Sequence, residues 1–187
     1  MSERTSTAPL KAFFGRLVRR TLTELWMGDE HIIDYLSDML ARFARTENLY
    51  RIKGMRGMRL ESVVEMLVEA NRPQDLDLGG RPLARDREIF RHIGDYTLFM
   101  TGIFREYVER LAILPYYLTQ GRRSYRRVSD FDRALYIPGA QLFEELSDRF
   151  EEYAGALNYM RKVYFPLAAR RGPYRGVIQE WTSGDGR

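Results

Sequence analysis

The sequence predicts an all-α, single-domain bundle of five or six helices around a long central helix at about residues 83–114. Apolar residues recur at three- and four-residue spacing nearly throughout the chain, which is the helical period. Gly, Pro and capping residues punctuate those stripes at helix-like intervals. One stretch, Ile93 to Phe104, is apolar or small on every face, as a helix at the centre of a bundle must be.

The elements follow in order. A first helix carries Leu10, Phe14, Leu17, Thr21 and Leu25 on one stripe, broadened by Phe13, Val18 and Trp26. Gly28 and Asp29 supply a C-terminal stop and an N-cap, so a tight turn should lead into a second helix with Ile32, Leu36, Met39 and Phe43 buried. Gly54 and Gly57 weaken any helix between Thr46 and Arg59, leaving an irregular connector. A third helix resumes near Leu60, with Val63, Val64, Leu67 and Val68 inward, and fails at Pro73. Residues 73–82, bracketed by Pro and Gly, read as a surface loop.

The fourth helix has its stripe at Ile89, Ile93, Thr97, Met100, Phe104, Val108 and Leu111, and Gly94 and Gly102 would let neighbours approach closely. Pro115 should end or kink it. Residues 116–139 read as one or two short helices broken at Gly121 and before Pro138. A final long helix carries Leu142, Leu146, Phe150, Tyr153, Leu157, Met160 and Tyr164. Past Pro166 the pattern lapses into a loose tail in which Trp181 is free to dock. The domain plan is a flexible start over 1–8, a bundle over 9–165 and a tail over 166–187.

Composition narrows the function classes. The 187 residues are 44% hydrophobic and 30% charged, the balance of a folded globular chain. With no Cys, disulfides, thiolate metal sites and cysteine nucleophiles are excluded. No apolar signal segment follows Met1, and the most apolar run holds Asp95 and is too short to span a bilayer. A cytoplasmic protein without a membrane span is expected. The net charge of +4 permits nucleic-acid binding without requiring it.

The only two histidines sit in an internal echo, EHIIDYL at 30–36 and RHIGDYT at 91–97. His31, Asp34, Glu88, His92 and Asp95 are thus candidate metal ligands, two helices each offering imidazole and carboxylate. The spacing departs from the Glu-x-x-His of ferritin-like di-iron bundles, and Asp34 near a helix start suits the positive end of the dipole. No cofactor is expected.

Asp95 is singular because an ionised carboxylate in so apolar a stretch must be paired. His92, an Arg of another helix or a Tyr hydroxyl should answer it. A structural pair fixing helix register is the favoured reading. The sharper alternative is a small-molecule pocket with His92, Asp95 and Tyr96 as catalytic candidates. No P-loop, dinucleotide fingerprint or nucleophile motif accompanies them, so no enzymatic reaction follows.

A second constellation, Arg122, Arg123, Arg126 and Arg127, would form one basic helical face suited to phosphate or nucleic acid. The acidic Glu144, Glu145, Asp148, Glu151 and Glu152 offer internal partners instead. The leading expectation is a protein-interaction or self-assembly module using aromatics such as Tyr116, Tyr117, Tyr136 and Tyr164.

Overall fold

The computed structural model describes residues 7–45 and 83–183. Eight helices and no strand occur among them: α1 (Thr7–Glu24), α2 (Glu30–Phe43), α3 (Leu83–Ile103), α4 (Arg105–Arg110), α5 (Leu114–Ala134), α6 (Ala140–Asp148), α7 (Phe150–Arg171) and α8 (Arg175–Ser183). The expected connector at 46–59, the helix from Leu60 and the loop at 73–82 lie outside the described residues.

The all-α bundle stands, and α3 is its centre. Ile93, Leu98, Phe99, Met100 and Ile103 are fully buried. Helix α5 runs antiparallel to it, since Asp95 meets Tyr125 and Arg87 meets Asp132. At Gly94 a Cβ would lie 2.6 Å from the Tyr125 ring, so only glycine lets that ring rest on the α3 backbone. Gly102 likewise admits Leu157 of α7.

Helices α1 and α2 form a hairpin. Asp29 caps α2 by accepting from the backbone N–H of His31 at 2.8 Å and of Ile32 at 3.1 Å. Ion pairs from Lys11 to Asp34 and Arg19 to Glu30 lace the hairpin on its wet side.

The punctuation of the second half differs from the sequence expectation. The long helix expected to Leu114 stops at Ile103, Phe104 takes φ −113° and ψ 37°, and the short α4 follows. Pro115 then lies in the first turn of α5, where no N–H is needed and its fixed φ is helical. Helix α5 passes unbroken through Gly121, whose missing side chain makes room for Phe150 and Thr97. Helices α6 and α7 are separated at Arg149, and α7 continues past Pro166 to Arg171.

The segment expected as a loose tail contains α8. Its Trp181 is fully buried, stacked on Phe14 at 5.3 Å and edge-on to Phe99 at 5.0 Å. Phe165 of α7 adds a third ring at 5.9 Å, and Ile178 is buried as well, so α8 is anchored by an apolar face.

Three helices end in the same unusual way. Trp26, Ala112 and Tyr136 have φ of 58°, 56° and 54°, the left-handed conformation usually left to glycine. At each, the residue's N–H bonds back three residues and the next N–H bonds back five. The latter bonds are Met27 to Leu22, Ile113 to Val108 and Ile137 to Asp132. These are Schellman stops built without glycine.

Candidate functional site

The site grows from Asp95. Its helix turns it toward α2 and α5, and it is fully buried. Oδ1 accepts from the hydroxyls of Tyr35, on α2, and Tyr125, on α5, the latter at 2.9 Å. Oδ2 accepts from Arg42 Nη2 at 3.0 Å, and the Arg42 Nε is held in turn by Asp38. The carboxylate is therefore answered by an arginine and two tyrosines, two of the three classes of partner that its burial demanded.

A second buried carboxylate lies two turns away. Asp132, at the inner face of α5, takes Arg87 through both oxygens in a fork, with Nη2 at 3.0 Å. The Arg87 guanidinium sits 5.6 Å over the ring of Phe143, and that same ring meets Tyr35 at 5.3 Å and Tyr125 at 5.8 Å. Phe143, on α6, is thus the apolar partition between the two carboxylates.

Electrostatics follow from this packing. Burial, then the negative charge of Asp95, pushes the Tyr35 and Tyr125 hydroxyls well above the ordinary phenol range. Both remain proton donors at any physiological pH. Burial opposes the charge on Arg42, but Asp95 outweighs it and holds the guanidinium ionised. The hydrogen bonds of Asp132 do the same for Arg87. Two acceptor positions of Asp95 Oδ1 and one of Oδ2 are filled by groups that keep their protons, so this carboxylate is arranged as a lock on three helices.

The other candidates fall elsewhere. His92 is exposed, its ring stacked beside Phe43 at 6.5 Å, whereas Asp95 is buried. Tyr96 is half-buried, tilted against Tyr117 at 6.2 Å. The echo does not become a symmetric pair. Ile32 and Ile93 are both fully buried, but Asp34 is exposed and joined to Lys11 at 2.9 Å. His31 is exposed, and Glu88 pairs with Arg87 and Arg91. Among the described residues no group of three or more His, Asp or Glu is arranged to hold a metal ion.

The chain matches no family model, no curated protein and no solved structure.

The basic quartet divides. Arg126 is tied to Glu144 at 3.0 Å and to Asp148, as the acidic partner set on α6 allowed. Arg122, Arg123 and Arg127 are exposed and form no ion pair among the described residues; Arg127 lies 5.9 Å over the Phe90 ring. Of the aromatics expected at a docking surface, Tyr136 is 94% exposed and Tyr116 half-buried. Tyr117 and Tyr164 instead belong to the core, Tyr164 beneath the Arg20 guanidinium at 4.7 Å.

Sequence reading missed Tyr35, Arg42, Arg87, Tyr125, Asp132 and Phe143. A signal existed for part of this. Tyr117, Gly121, Ser124, Tyr125, Val128 and Asp132 make one helical stripe, visible once Gly121 is allowed inside a helix.

Proposed function

We propose that this chain is a protein-interaction or assembly module. One observation carries the reading. Trp26 is 95% exposed and stands on a left-handed backbone position where glycine would be favoured. An indole so placed combines backbone strain of about 1–2 kcal/mol with nearly complete exposure of the largest apolar side chain. Tyr136 repeats the combination on the α5–α6 turn. Tryptophan and tyrosine are the side chains most enriched at interface centres, and both here are presented outward by rigid helix ends. Absence of cysteine supports a reducing, cytoplasmic setting for such a module.

The test uses the full chain and a Trp26→Gly, Tyr136→Gly variant as baits in an extract of the cells that make the protein. The variant should melt no lower than the parent yet lose the partners the parent retains. Equal retention by both baits would refute the reading.

A second reading rests on Arg122, Arg123 and Arg127, exposed and without carboxylate partners among the described residues. They suit phosphate or nucleic acid, recognised through charge-assisted hydrogen bonds. Binding of a labelled single-stranded oligonucleotide should then fall steeply with added salt and weaken on Arg123→Ala substitution. A flat salt response would end it.

A further inference from the structure

Along the outer face of α7, Glu152, Tyr159, Val163 and Arg170 are spaced by seven, four and seven residues, which a 3.6-residue turn places in one straight stripe. Tyr159, Val163 and Leu167 are three of the exposed large apolar residues of the fold, at 38, 37 and 55%. The other side of α7 is buried, with Leu157 against Gly102 of α3 and Phe165 against Trp181 of α8. The end of α1 borders the stripe, because Glu24 accepts from the Tyr159 hydroxyl at 3.4 Å. Trp26 lies two residues beyond.

The order of groups on this stripe reads the same in both directions once charge is reversed. An acid stands at one end, an apolar pair in the middle and a base at the other. Turning a second copy about a two-fold axis at the level of residue 161 sets Tyr159 against Val163 of the second copy and Glu152 against its Arg170. Leu167, 55% exposed, lies one turn beyond Val163 on the flank of the stripe. Arg170 forms no ion pair among the described residues, and Glu152 has only Arg149, one turn away within its own chain. A self-complementary face of this kind is what an isologous two-fold contact requires.

We infer that the α7 stripe is a homodimer interface, two copies pairing α7 antiparallel through Tyr159 and Val163, with Leu167 on its flank and Glu152 and Arg170 joined across the axis. This rests on the reading of the chain as an assembly module and names a second copy as the occupant of one of its faces. One helix pair with an adjoining indole is a small interface, so dissociation in the range of about 10–100 micromolar is expected.

Sedimentation velocity of the full-length protein across that range should show a monomer–dimer equilibrium. Val163→Glu, at an exposed position, should weaken it at least about 10-fold without lowering the melting temperature. Glu152→Arg and Arg170→Glu should each weaken it about 3- to 10-fold, and the two together should restore it, because each reversed pair forms again across the axis. Val163→Cys introduces the only thiol of the chain, and a short bis-maleimide should join two copies through it. A wild-type chain that stays monomeric overturns the dimer, as does a double charge reversal no better than its singles. Neither result touches a Trp26-dependent capture of a different protein, which tests the broader reading separately.

Discussion

The hydroxyl of Tyr125 reaches Asp95 Oδ1 at 2.9 Å while its ring rests on the backbone of Gly94, where α3 carries no side chain. The bond and the glycine are one device. Gly94→Ala would drive a methyl into a fully buried ring that has no room to retreat, as overpacked cores do. A loss of about 2–3 kcal/mol in urea unfolding is expected. Tyr125→Phe keeps the ring and removes only the donor, so a smaller loss of about 1–2 kcal/mol is expected. Equal losses for the two would show that packing and hydrogen bond are not separable here.

Removing a buried charge partner should be costlier than removing a neutral donor. Asp95→Asn removes one of the two carboxylates of Arg42, which keeps Asp38, whereas Arg87→Met leaves Asp132 charged and alone in the core. The Arg87 variant is expected to destabilise by about 3–5 kcal/mol and the Asp95 variant by less. Arg87→Met combined with Asp132→Leu should recover most of that loss, since a well-packed apolar pair can replace a buried ion pair. Differential scanning calorimetry of the single and double variants measures the coupling.

Stability should fall on the alkaline side. A phenol with its pKa raised by folding binds its proton more tightly in the native state. Its contribution is fully present below the unfolded value near 10 and is lost as pH climbs beyond it. Tyr35 and Tyr125 are raised in this way, as is Tyr153 by burial and by its bond to Glu145. Melting temperature should hold through pH 9 and drop steeply from about pH 10 upward. Tyr35→Phe should flatten that slope. Absorbance near 295 nm should show these phenols titrating only as the protein unfolds.

Ala112 offers the cleanest test of the left-handed helix stops. It is exposed, has φ 56°, and Ala112→Gly removes only a methyl. The substitution should stabilise the fold by about 0.5–1 kcal/mol. Gly139 already has φ 112°, and its replacement by Ala should act in the opposite direction. A lower melting temperature for Ala112→Gly would argue against strain at these turns.

What could be read beforehand was whatever depends on local period. The stripes of α1, α2 and α3 and the burial of Asp95 with a partner follow from spacing and from the physics of desolvating a charge. The identity of that partner does not. Arg42 and Tyr35 lie 53 and 60 residues away, and no local pattern announces which helix will face α3. Gly121 and Pro115 were misleading because each breaks helices in isolation. Here tertiary contact with Phe150 and placement in the first turn make both favourable. Docking of Trp181 could be anticipated but the helix α8 that carries it could not, since the rings it packs on stand on α1, α3 and α7.

Asp95 also bears on how the chain finds this arrangement. Its three donors close loops of 60, 53 and 30 residues onto a single carboxylate. Amphipathic helices can slide past one another at little cost, because one leucine contact resembles the next. A slipped assembly that buried Asp95 without one of these donors would carry an unanswered charge, a penalty that grows as water leaves. The carboxylate therefore weighs on the wrong structures more than on the right one, because a core closed before α2, α3 and α5 have met would hold a buried charge unanswered.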